Sequence, residues 1–124
     1  MPADGFHEWQ KVGAGKQPWH FMLSDESPFA FAGLWSSWRD PDAPDAAPVR
    51  SFTIITSPPN ELVAPVHDRI PVILPRDRYA AWLDRETPPE ALQGMLVPYP
   101  AGAMKAFPID ARVGKPHFVN PKRR

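Results

Sequence analysis

Eighteen of the 124 residues are proline. Each proline fixes φ, lacks a backbone donor and breaks a helix interior or a central strand. Long helices are therefore not expected. Short strands and turns should dominate, with a few short helices. Hydrophobic residues make up 43% of the sequence, enough for one packed core, and the length suits a single domain over residues 1–124.

The strands are placed by composition. Residues 29–35 (FAFAGLW) are apolar on both faces and read as a buried strand. Residues 51–56 (SFTIIT) are rich in β-branched and aromatic side chains and read as another. Between them, residues 39–48 (RDPDAPDAAP) form a surface loop, so the two strands are expected to pair antiparallel. A third strand is expected at residues 19–23, after a turn at residues 12–15 (VGAG). A fourth is expected at residues 70–74 (IPVIL), where Pro71 demands an edge or a bulge.

Two short helices should follow. Pro75 suits a first helical position, and Tyr79, Trp82 and Leu83 share one face. Thr87 and Glu90 have the spacing of a capping box, with Pro88 at the first position and Leu92, Met95 and Leu96 on the apolar side. Residues 106–113 are expected to form a last strand before the basic residues Lys122, Arg123 and Arg124. The fold class is α+β, with a mostly antiparallel sheet or a partly open barrel and two short helices.

Charge narrows the partners. Lys plus Arg and Asp plus Glu both number 14, so a nucleic-acid site must be a local patch rather than a whole-molecule field. The sequence has no cysteine; disulfides, thiolate zinc sites and a thiol nucleophile are excluded among these residues. His67 has no second histidine or cysteine at ligand spacing, and no motif places His20 or His117, so neither a metal nor a cofactor is expected. No secretory pattern occupies residues 1–9, and the apolar run at 29–35 is far too short to cross a bilayer. A cytoplasmic chain without a membrane partner is the expectation.

Three blocks, in order, resemble the SOS-response-associated peptidase (SRAP) family. They are PADGFHEW at residues 2–9, the strand pair FAGLW…SFTIIT ending at Thr56, and NELVAPVHDRIPVIL at residues 60–74. A weaker block, MKAFPIDARV at residues 104–113, fits the family's closing strand. The resemblance implies a β-rich domain with a cleft for single-stranded DNA carrying abasic sites. It also implies a chemistry: an N-terminal cysteine amine condenses with the ring-opened aldehyde, and its thiol closes a ring to leave a stable DNA–protein crosslink. Peptidase and lyase activities, hence hydrolase or lyase classes, belong to the same resemblance. By position, Glu8 and His67 are the implied catalytic pair, Arg69 the implied phosphate contact and Thr56 an implied cleft-lining residue.

The sequence also departs from the pattern. It begins at the first block, where family members carry a preceding segment with the cysteine and an asparagine–arginine motif. His7 stands in place of a tyrosine, Ser36 in place of a frequent acidic residue, and residues 113–116 (VGKP) in place of an asparagine-containing turn. The chain therefore reads as a partial SRAP-like domain. It is expected either to associate with another copy or to rely on a separately encoded N-terminal half. The competing reading is a catalytically inactive remnant that binds DNA or a partner. A further expectation concerns Pro2: removal of Met1 would expose a secondary amine able to attack an aldehyde.

Read without the family, Glu8 is a surface carboxylate and His67 a loop histidine. Imine chemistry needs proton transfers near neutral pH, which a carboxyl and an imidazole supply if the fold brings them together. Among the other basic groups, Arg76 and Arg78 suit a solvated helix face. Trp9, Trp35 and Trp38 are candidates for base stacking, with a core role the competing assignment.

Overall fold

The structure, a computed structural model, describes residues 1–115. Its strands are β1 (Pro2–Ala3), β2 (Phe6–Val12), β3 (Gly15–Leu23), β4 (Phe29–Phe31), β5 (Gly33–Trp38), β6 (Val49–Ile54), β7 (Thr56–Ser57), β8 (Ile70–Pro71), β9 (Ile73–Leu74) and β10 (Met104–Pro108). Two α-helices, α1 (Tyr79–Leu83) and α2 (Pro89–Gly94), lie between β9 and β10. All strand pairs are antiparallel, in sheets ordered β1-β4-β9 and β10-β3-β2 and in the pairs β5-β6 and β7-β8. The class is α+β, with no closed barrel among the described residues. None of the described helices is long and apolar enough to cross a membrane.

Three of the expected strands are present but broken at one residue each. The breaks fall at Ala32, Ile55 and Val72, and the three residues bond one another in a ring. Ala32 N–H donates to the Val72 carbonyl (2.8 Å), Val72 N–H to Ile55 (2.9 Å) and Ile55 N–H to Ala32 (3.0 Å). Each strand thus changes partner as it passes through the ring. The first leaves β9 to pair with β6, the second leaves β5 to pair with β8, and the third leaves β7 to pair with β4. The exchange leaves none of these amides orphaned at the break, the usual requirement for buried backbone. Pro71 lies in β8, which pairs with β7 alone among the described residues, so the expectation of an edge is met.

The β2–β3 hairpin turns through Gly13 and Ala14, with Val12 paired to Gly15. Gly13 has φ +57°, the left-handed first position that a tight hairpin assigns to glycine. On one face of the β10-β3-β2 sheet, Phe6, Trp19, Phe21, Met104 and Ala106 join the main core with Phe29, Phe31, Val63, Ile70 and Ile73. Phe6 stacks on Phe21 at 5.1 Å between centroids. A second cluster, around Ala32, Val72, Leu74 and Met95, takes Trp82 from α1, Leu92 from α2 and Leu96 from just past it.

Several local expectations are corrected. Pro75 does not start a helix; it caps a 3-10 turn, Arg76–Arg78, that leads into α1. The capping box of Thr87 and Glu90 does not form, because the Thr87 hydroxyl donates to the Ala81 carbonyl (2.6 Å) and so closes the end of α1. Pro88 is the N-cap of α2 rather than its first residue. The last strand runs over Met104–Pro108, and residues Ala111–Gly114 form a 3-10 turn instead of continuing it. There the Asp110 carboxylate accepts from the Arg112 amide, and a strand cannot compete with that local cap. The tail residues Lys122, Arg123 and Arg124, and His117, lie outside the described residues.

Candidate functional site

Glu8 lies on the inner face of the β10-β3-β2 sheet. It follows Phe6 by two residues and pairs across the ladder with Trp19. The alternation that buries Phe6 in the core thus turns Glu8 the same way, at the point where the core face ends. His7, one residue earlier, falls on the outer face, with its ring 5.1 Å from that of His20.

His67 is delivered by a tight turn over residues 61–66. Asn60, almost fully buried, organises the turn. Its Oδ1 accepts from the amides of Leu62 (3.1 Å) and Val63 (3.0 Å), and its Nδ2 donates to the Tyr99 carbonyl (2.6 Å). Val63, fully buried, plugs the turn into the core, and the His67 amide donates to its carbonyl (2.9 Å). Gln10 fastens the turn to β2: its Nε2 donates to the Pro65 carbonyl and its Oε1 accepts from Trp19 Nε1, both at 3.0 Å.

The result brings Glu8 and His67 together across 59 positions of sequence. Glu8 Oε2 is 3.7 Å from His67 Nε2, ion-pair range when the ring is charged and beyond a direct hydrogen bond. The other ring nitrogen, Nδ1, accepts from the Arg69 amide (3.2 Å) and lies 3.4 Å from Asp68 Oδ1. In the other tautomer Nδ1 would instead donate to the Arg69 carbonyl at 3.3 Å. The Glu8 side chain is only 24% exposed. Burial pushes its pKa above the ordinary carboxylate value; the His67 charge opposes the rise, and the nearby Asp68 adds to it.

Arg69 and Thr56 complete the cluster. Arg69 Nε and one terminal nitrogen donate to Thr56 Oγ1 (3.2 and 3.1 Å). This holds an exposed guanidinium against β7, while the Arg69 backbone amide meets the imidazole. His67 and Asp68 open on a cleft of about 460 Å³ lined also by Trp9, Gln10, Lys11, Pro65 and Val66. Glu8 does not line this cleft; it meets the imidazole from β2. Chemically, the set is a carboxyl whose pKa burial raises, an imidazole and an exposed guanidinium.

All four residues singled out in the sequence therefore fall in one cluster: Glu8 against His67, and Arg69 against Thr56. Pro2 does not join them. It pairs with Ala30 and lines a separate apolar cavity with Phe31, Trp35 and Trp82. Gln10, Asn60 and Asp68 were not anticipated. The one signal for Gln10 was its place two residues after Glu8, which puts both side chains on one face of a strand. For Asn60 it was the Asx pattern of capping the amides two and three residues ahead.

Residues 1–116 match the family described as SOS response associated peptidase (SRAP). The chain belongs to the SRAP family. The chain is 39% identical over 124 residues to the Bacillus subtilis abasic site processing protein YoqW, covering 98% of this chain and 54% of that one. To the B. subtilis abasic site processing protein YoaM it is 39% identical over 118 residues, covering 94% and 51%. A crystal structure of a Bacteroides thetaiotaomicron protein superposes with a TM-score of 0.86 at 29% identity, covering 93% of this chain and 50% of that one. The SRAP chain described here thus spans about half the length of the curated relatives it matches.

Proposed function

We propose that this SRAP-family chain acts on DNA at abasic sites, binding the single-stranded form, and that Glu8 and His67 carry the proton transfers of the aldehyde chemistry there. The observation that carries the reading is the meeting of Glu8 and His67, with Arg69 two residues on held by Thr56, in a chain whose relatives are named abasic site processing proteins. Condensation of an amine with the ring-opened aldehyde forms a carbinolamine and then expels one water. The departing hydroxyl must gain a proton, and the nitrogen must lose one. Glu8, with its pKa raised by burial, is suited to supply the proton that leaves with the hydroxyl, and the His67 imidazole to take up the proton shed by nitrogen. Arg69 neutralises a phosphate flanking the site, and Thr56 fixes its guanidinium. A thiol that closes a crosslink is not among these 124 residues. The chain's part is thus acid–base chemistry and strand binding, with crosslink formation assigned to the complete family domain. The reading includes association with another copy of the chain and a cytoplasmic setting.

The test is fluorescence anisotropy with a labelled single-stranded oligonucleotide carrying one abasic site, its intact counterpart and a duplex. The abasic single strand should bind tightest. Arg69→Ala should weaken all strands and reduce the salt slope by about one unit. His67→Ala should erase the preference for the abasic strand. Equal binding of abasic and intact strands by the native chain would sink the proposal.

A further inference from the structure

Two lysines face each other across the tip of the β2–β3 hairpin. Lys11 pairs with Lys16, one rung from the Val12–Gly15 pair that closes the turn. The Pro18 carbonyl accepts from the Ile109 amide (3.1 Å), on the side of β3 away from β2. Trp9, opposite Pro18, therefore sits in a pair with no hydrogen bond between the strands, and so does Lys11 two residues on. Side chains come closest at such a pair, and like charges placed there repel. Both lysines are exposed, and among the described residues neither has a carboxylate at ion-pair distance. Lys105, on β10 of the same sheet, differs: its ammonium is 3.3 Å from Glu26.

The tip borders the cleft that carries His67. Lys11 and Trp9 line it from β2, His67 and Asp68 from the turn, and Arg69 does not line it. Among the described residues β2 is the last strand of its sheet. The register turns the Lys11 amide away from β3, toward that open edge, so one residue offers both an ammonium and a backbone donor.

We propose that Lys11 and Lys16 clamp a phosphodiester of the bound nucleic-acid strand, a second backbone contact besides Arg69. An anion seated between the two ammoniums turns their repulsion into charge-assisted contacts. The Asp68 carboxylate, 91% exposed on the turn, repels the same anion and so confines it to the β2 side. Backbone contacts position a strand without reading its bases, so the clamp holds intact and abasic strands alike. It rests on the strand-binding part of the abasic-site reading and not on the chemistry assigned to Glu8 and His67.

The experiment measures the affinity of the full 124-residue chain for an intact single-stranded oligonucleotide by fluorescence anisotropy at several salt concentrations. Each neutralised phosphate contributes about 0.7 to the salt slope of single-strand binding, so Lys11→Gln with Lys16→Gln should lower the slope by about 0.7–1.4. The same pair should weaken abasic and intact strands by one common factor. Lys16→Glu gives Lys11 a carboxylate partner; it should bind the strand more weakly than Lys16→Gln and melt no lower than the parent. Lys105→Gln removes a cation that is already paired and should leave the slope unchanged. An unchanged slope in the double variant overturns the clamp. An equal fall in Lys105→Gln does so too, because the effect is then one of net charge. A native chain that holds no strand overturns the clamp together with the abasic-site reading. Equal affinity for abasic and intact strands, with the slope falling as stated, removes only that reading and supports the clamp.

Discussion

Replacing Gln10 with alanine removes two hydrogen bonds at once. One runs from its amide nitrogen to the Pro65 carbonyl and the other from the Trp19 indole to its amide oxygen, each 3.0 Å long. Each such bond contributes about 1 kcal/mol net. The first is exposed and sits at the lower end of the range. The second leaves a half-buried indole N–H without its acceptor, so it sits at the upper end. The expected loss is about 2 kcal/mol, or roughly 8 °C in melting temperature for a domain between the small and medium size classes. Gln10→Met keeps the stem packed against Trp19 and still loses both bonds, so it should fall by a similar amount. Thermal unfolding followed by circular dichroism measures this directly. A second consequence is local. Without the clamp, the turn over residues 61–66 separates from β2, so amide shifts in an NMR spectrum should change at residues 61–67 more than in β10. Melting temperatures of both variants within about 2 °C of the parent would refute the clamp and with it the account of how His67 is held opposite Glu8.

Other substitutions test the frame and the site. Phe21→Ala empties a fully buried position stacked on Phe6 and should cost about 3–5 kcal/mol in urea unfolding. Gly5→Ala should cost about 1–3 kcal/mol, because a Cβ there would meet the His20 ring at 2.5 Å and the backbone carbonyl of Phe21 at 2.9 Å. Glu8 has a pKa raised above 4.5 in the folded chain. Between 4.5 and the raised value the folded state therefore holds more protons than the unfolded state, and stability falls as pH rises through that window. Glu8→Gln removes this slope. Relative to the variant, the parent should lose urea resistance as pH rises from 4.5, and the two should run parallel below it; a constant difference across that range would contradict the assignment.

Much of the fold was legible because it depends on local chemistry. Residues 51–54 lie in a strand, residues 39–48 in a loop and Leu92 in α2, as composition and spacing imply, whereas Met95 caps that helix and Leu96 lies beyond it. The breaks at Ala32, Ile55 and Val72 were not legible, because each is a bond to a partner more than 15 residues away, which no window of sequence contains. Thr87 illustrates the same limit at short range. Its spacing to Glu90 fits a cap, yet its hydroxyl serves the end of the preceding helix, because Pro88 already sets the extended entry into α2. The meeting of Glu8 with His67 is a tertiary fact. Composition and periodicity contain nothing of it; the motif resemblance anticipated it, and the Asn60 turn and the Gln10 clamp explain it.

The central claim is that Glu8, Thr56, His67 and Arg69 form one surface at which an abasic site is held. The direct measurement is an amide NMR titration of the isotope-labelled chain with a single-stranded oligonucleotide bearing one abasic site. The account predicts saturable shifts centred on Glu8, Thr56, His67 and Arg69, and much smaller shifts with the intact strand. Shifts centred instead on the β5–β6 hairpin, or none at saturating strand, would contradict it.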